Sequence, residues 1–185
     1  MRPIVHSLFA ASLAIGSAAI VHAQSAPPIK PGLWQTKVQQ DDPEMAAKMR
    51  EMEAQIKNLP PEARKQIDAM MKQQGVSLGA PGVIKMCFSK EQLSEEGWQG
   101  LQQRGDCKVD TTRQGKHWKF RATCPPPNAS VTEGEAVFLS PERYTVKSST
   151  TTSIGGQPKV MKTSAESTWL GADCGDLKPI QPRTK

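Results

Sequence analysis

Histidine, aromatic residues and long apolar runs are all scarce in this chain, and each scarcity removes a class of function. Three histidines occur in 185 residues. His6 and His22 lie in the first 23 residues, so a chain trimmed of that segment keeps only His117. A Ser-His-Asp or Cys-His site needs a histidine with a base partner in a pocket. His117 stands between Lys116 and Trp118 in a strand-like run and reads as an exposed strand residue. No Gly-x-Ser-x-Gly elbow occurs. The four cysteines, at positions 87, 107, 124 and 174, contain no Cys-x-x-Cys pair, so the usual zinc spacing is missing. Aromatics make up 5% of the residues, and the basic residues behind the formal charge of +6 are spread along the chain, not gathered in a stripe. This excludes the basic and aromatic signature of a nucleic-acid binder and leaves a mild bias toward anionic surfaces such as lipid headgroups.

One apolar run is present, at the N-terminus. Arg2 supplies a positive start, Leu8 to Val21 is apolar or small, and Val21-His22-Ala23 offers small residues for cleavage. Residues 1–23 therefore read as a secretory signal peptide, cleaved near Ala23, and residues 24–185 as one periplasmic or secreted domain. No later run approaches the roughly 18 residues that span a bilayer. No cysteine follows the cleavage point, so no lipid anchor is expected there.

The mature chain alternates turn signals with short β-like runs. Leu33 to Val38 follows Pro31-Gly32 and places Trp34, Thr36 and Val38 on one strand face. Strand-like segments follow at Val83–Phe88, Cys107–Arg113, Lys116–Cys124, Val131–Leu139, Arg143–Thr152 and Lys159–Leu170. Seven such segments predict a mainly β, α+β domain: an antiparallel meander curled into a barrel-like sheet. A helical hairpin, about residues 43–74, is inserted after the first strand. Asp42 caps it, Pro43 occupies its first position, and Pro60-Pro61 separates its two helices. Ser89 starts a short helix that runs toward Leu101, and a polar tail from Lys178 to Lys185 is expected to be loose.

In an oxidising compartment four cysteines predict two disulfides. Taking Gln114-Gly115 as a two-residue turn places Cys107 opposite Ala122, two residues from Cys124. That proximity favours Cys107–Cys124, with Cys87–Cys174 left over. The pairing of Cys87 with Cys107, and Cys124 with Cys174, stays open. Met45, Met49 and Met52 recur at helical spacing, with Met70 and Met71 on the second helix. They read as core or contact surface, and a soft Cu(I) site or a chaperone-like surface is a lesser reading. Trp34 is a core or rim anchor of the sheet and otherwise a ligand-contact candidate. The pairs Asp41-Asp42 and Glu95-Glu96 read as loop and helix-end charges, and a hydrolase with a two-carboxylate site is the enzymatic alternative.

Lys30-Pro31-Gly32-Leu33-Trp34, then Cys87 before a short acidic helix, then the Cys107 to Cys124 hairpin with Gly115 and Trp118, then Gly171-Ala172-Asp173-Cys174 form an ordered series. In order and spacing it resembles the bacterial exported family known as domain of unknown function 3617. The resemblance implies export and a mostly β domain, and it brings no catalytic residues. The expectation is an uncharacterised, non-enzymatic protein with no catalytic residue, metal or cofactor, binding a small apolar ligand or an envelope protein.

Overall fold

A computed structural model describes residues 26–102, 106–154 and 157–180. The signal-peptide reading, the Gly155-Gly156 turn and the end of the tail lie outside the described residues. The described chain runs β1 (Gly32–Gln40), α1 (Pro43–Lys57), α2 (Pro61–Gln73), β2 (Val76–Leu78), β3 (Val83–Phe88), α3 (Glu95–Gln102), β4 (Lys108–Gln114), β5 (His117–Cys124), β6 (Ser130–Ser140), β7 (Arg143–Ile154) and β8 (Gln157–Gly171). It is mainly β with an inserted pair of helices.

All strands pair antiparallel in one sheet of order β2-β3-β1-β8-β7-β6-β5-β4. Strands β4 to β8 form the expected meander, but β1 lies between β3 and β8. The sheet is not closed into a barrel, which corrects the barrel-like expectation: β2 and β4 are its two edges. Alternation identifies strands and says nothing about which end strands meet. The β4 edge carries Lys108 and an inward Arg113 stacked 4.9 Å over the Trp118 ring. Charges of this kind guard a free edge against further pairing.

The inner face is built from period-2 positions. Trp34 is fully buried, and Trp118, Phe138 and Phe88 nearly so. Ring centroids step from Trp118 to Phe138 (4.9 Å), Phe138 to Tyr144 (5.7 Å) and Tyr144 to Trp34 (5.2 Å), an aromatic band across β5, β6, β7 and β1. Beside it Thr36 Oγ1 and Ser167 Oγ are hydrogen-bonded at 2.8 Å. The Tyr144 hydroxyl bonds to both, and its burial pushes the phenol pKa up against their opposing effect. Buried hydroxyls satisfy one another here, as a low-dielectric core requires.

The Lys30 to Trp34 segment locks the ends of β1, β7 and β8 together. Trp34 Nε1 donates to the Lys30 carbonyl (2.9 Å), and Trp169 Nε1 donates to the Pro31 carbonyl (3.0 Å). The Lys30 ammonium lies 4.8 Å from the Trp169 ring centre and pairs with Glu142. Gly32 has φ +125°, and a Cβ there would fall 2.2 Å from the Gly171 carbonyl oxygen, so only glycine fits.

Disulfides join Cys87 to Cys174 and Cys107 to Cys124. The β4–β5 register differs from the one expected. Gln114 faces His117 and Lys108 faces Thr123, so the turn is Gly115-Lys116, with Gly115 at φ +57°. Continued one residue, this register sets Cys107 directly opposite Cys124. A glycine at the first central position favours this turn, and the reading that centred it on Gln114-Gly115 was two residues out. Of the tail expected to be loose, residues 178–180 are held: Lys178 N–H donates to the Lys72 carbonyl (3.3 Å) and Ile180 N–H to the Cys87 carbonyl (3.0 Å). Leu177 is buried.

Candidate functional site

The helical insert contributes no buried residue to the core, so what it encloses matters more than what it packs. Asp42 accepts hydrogen bonds from the Glu44 and Met45 N–H groups (2.9 and 3.2 Å), and Pro43 sits at the first helical position. These bonds hold the Asp42 carboxyl below its usual pKa, the Met45 N–H contributing most. They also fix the direction in which α1 leaves β1.

Residues 46, 49, 50 and 53 fall at i, i+3, i+4 and i+7, one face of α1. Ala46, Met49, Arg50 and Glu53 from that face line a cleft of 410 Å³ with Val38 of β1 and the Pro81-Gly82 turn. Gln39, Gln40 and Asp41 complete its rim. Two hydrogen bonds fix its wall. Gly82 N–H donates to Glu53 Oε1 (3.0 Å), and Val38 N–H donates to the Gly82 carbonyl (2.7 Å). Gly82 has φ +72°, and a Cβ there would lie 2.9 Å from the Val38 carbonyl oxygen. The cleft is thus apolar at Val38, Ala46, Met49 and Pro81, and polar at one side. Its volume lies in the range of small-molecule sites.

Of the contact candidates Trp34, Met45, Met49, Met52, Met70 and Met71, Met49 alone lines this cleft, with Asp41 of the acidic pair at its rim. Met45 and Met71 are half-buried. Met52 and Met70 are exposed, at 61% and 56%. The methionine stripe is therefore split between the sheet side and solvent. Trp34 is in the core with its N–H satisfied. His117 is exposed on the outer sheet face, its Nδ1 3.2 Å from Glu135 Oε1. Glu95 and Glu96 occupy the first turn of α3. Among the described residues no three His, Cys, Asp or Glu side chains converge as a metal site would require, and no helix is long and apolar enough to cross a membrane. Both cysteine pairs are oxidised, which belongs to a compartment outside the cytoplasm.

Sequence reasoning missed Arg50, Glu53 and Gly82. The turn signal of Pro81-Gly82 was available. Its contact with Glu53, 29 residues away, leaves no local pattern.

A family profile described as "Protein of unknown function (DUF3617)" matches residues 29–174. The chain is 36% identical over 140 residues to the "Uncharacterized protein in lpd-3 5'region" of Pseudomonas putida, covering 74% of this chain and 94% of that relative. No solved structure matches. The ordered series from Lys30 to Cys174 and the profile over residues 29–174 agree: the chain belongs to the DUF3617 family, whose function is unknown.

Proposed function

We propose that this is an exported, periplasmic, non-enzymatic protein that binds a small, largely apolar ligand between α1 and β1. The observation that carries the reading is the 410 Å³ cleft, in which Met49, Ala46, Val38 and Pro81 face Arg50 and a polar rim. Methionine suits such a wall because its unbranched side chain adapts to irregular apolar shapes. The N-terminal run to Ala23 and the two disulfides support export. A protein partner is the second reading, supported by Met52 and Met70, which stand out from α1 and α2.

Native mass spectrometry of protein purified from the periplasm tests the proposal. The expected species starts at Gln24 and carries an added small-molecule mass. Met49→Trp fills the cleft, so it should shed that mass and weaken the binding of 1-anilinonaphthalene-8-sulfonate while the melting temperature changes little. Retention of the mass in Met49→Trp, or a parent protein with no added mass and no probe binding, refutes the cleft as a ligand site.

A further inference from the structure

The net charge that is scattered along the sequence is gathered by the fold onto one side of the sheet. Strand side chains alternate, so charges at every second position arrive on the same face. The inner positions hold the aromatic band. The outward positions hold Lys37, Lys85, Lys119, Arg143, Lys147 and Lys162. All but the half-buried Lys85 are exposed. Among the described residues none of these six has a carboxylate oxygen within 4.0 Å.

The other outward strand cations are neutralised in place, Arg121 by Glu133 and Lys108 by Asp110. The remaining outward strand carboxylates are Glu135, which is bonded to His117, and Glu166. One sheet face thus carries an excess of four positive charges in a chain of formal charge +6. The opposite face has Arg113, stacked on Trp118, and Lys159 at its far end.

We propose that this outer face docks the protein on the surface of an anionic phospholipid bilayer. Three observations favour a broad lipid surface over a compact acidic ligand. First, the cations are spread out: Lys85 on β3 and Lys119 on β5 are five strand spacings apart, about 24 Å at the usual inter-strand distance. Second, Lys147 and Lys162 stand diagonally across β7 and β8, facing Ser164 and Ser149, around a shallow depression that also holds Asp41 and Glu133. Asp41 and Glu133 break up the two lysines there, so the depression is not a compact anion site and the excess belongs to the whole face. Third, Val160 and Leu170 of β8 are exposed in phase with Lys162, at 52% and 46%. Apolar side chains interleaved with lysines suit the headgroup boundary of a membrane. The proposal does not depend on the cleft beneath α1.

The test is co-sedimentation of the mature protein with phosphatidylglycerol-containing vesicles and with pure phosphatidylcholine vesicles. Binding is expected only to the former, with release by high salt because surface charges are screened. Each lysine near an anionic leaflet strengthens binding about fivefold. The triple variant Lys119→Gln, Lys147→Gln, Lys162→Gln should therefore bind on the order of 100-fold more weakly at an unchanged melting temperature. If the triple variant melts lower, each single substitution should still weaken binding about fivefold. The triple variant Lys48→Gln, Lys57→Gln, Lys65→Gln removes the same charge from α1 and α2 and should bind like the parent. The proposal is overturned if the sheet-face triple variant binds like the parent, or if the helix variant loses as much. It is also overturned if the protein binds soluble polyglutamate but neither vesicle.

Discussion

Removing the Cys87–Cys174 bridge should destabilise the protein more than removing Cys107–Cys124, and should do so at a particular place. The two bridges close loops of sequence separation 87 and 17. On the chain-entropy model, at 25 °C, these stabilise by about 4.6 and about 3.1 kcal/mol. The shorter loop lies inside the longer one and already constrains it, which shrinks the effective outer loop to about 70 residues and its contribution to about 4.4 kcal/mol. Each variant keeps the other bridge alone at its full value, so the expected difference is about 1.5 kcal/mol between Cys87→Ala/Cys174→Ala and Cys107→Ala/Cys124→Ala, read from urea unfolding without reductant.

The location follows from what the outer bridge holds. Residues 174–180 form a strap over the end of α2 and the side of β3. Lys178 bonds to Lys72, Ile180 bonds to Cys87, and the Gln92 side-chain amide donates to the Ile180 carbonyl. Gly75 backs onto this strap so closely that a Cβ would lie 2.5 Å from Ile180 N. Because α2 carries no buried residue of its own, the strap is a main restraint on it. Amide exchange in α2 and β2 should accelerate selectively in the Cys87/Cys174 variant. The reasoning fails if the Cys107/Cys124 variant is the less stable of the two, or if α2 keeps its protection without the outer bridge.

Two further predictions concern the core. Trp34→Ala should cost about 3–5 kcal/mol in urea unfolding, because it removes a fully buried indole that ends the aromatic band against Tyr144. A loss below about 1 kcal/mol would mean that the band does not rest on it. Tyr144 is the only tyrosine in the chain, so absorbance at alkaline pH reports its ionisation alone. Burial raises its pKa in the fold above the unfolded value of about 10. Its contribution to stability is complete below about pH 10 and is lost as pH rises through the folded value. A native titration midpoint at the unfolded value, or an alkaline stability loss unchanged in Tyr144→Phe, would contradict this.

Local patterns made the elements legible and left their assembly open. Alternation located β1, β3 and β5 to β8 to within a few residues. Asp42, Pro43 and Pro60-Pro61 located the two helices, because caps and prolines act within one turn. β2 was missed: three residues between Gly75 and Gly79 carry too little periodicity to stand out. The β4–β5 register turned on which residue pair formed the turn, and both choices contain Gly115. The barrel expectation failed on a long-range fact, that β1 pairs with β3 and β8 while β2 and β4 end the sheet. Likewise a charge scattered along the sequence became a basic face once the strands aligned. The cleft was invisible because its wall depends on Glu53 reaching Gly82.

The residues that carry the family resemblance are engaged in architecture. Lys30, Pro31, Gly32 and Trp34 tie the start of β1 to Trp169, Gly171 and Glu142. Cys87 and Cys174 clamp the strap, and Cys107, Cys124, Gly115 and Trp118 set the β4–β5 hairpin and its aromatic anchor. A side chain buried in the band or closed in a disulfide has no free group to offer a substrate. What the resemblance transmits is therefore a sheet with its locks. The parts free to differ in chemistry are those that stabilise little: α1 and α2, which have no fully buried residue, and the outward strand positions, where substitutions usually change stability by less than about 0.5 kcal/mol. Both the cleft and the basic face lie in those parts. Any activity of this chain is accordingly to be sought in variants of Met49, Arg50 and the outward lysines, which can lose function without losing the fold. Variants of the family motif would unfold the protein before they informed on what it does.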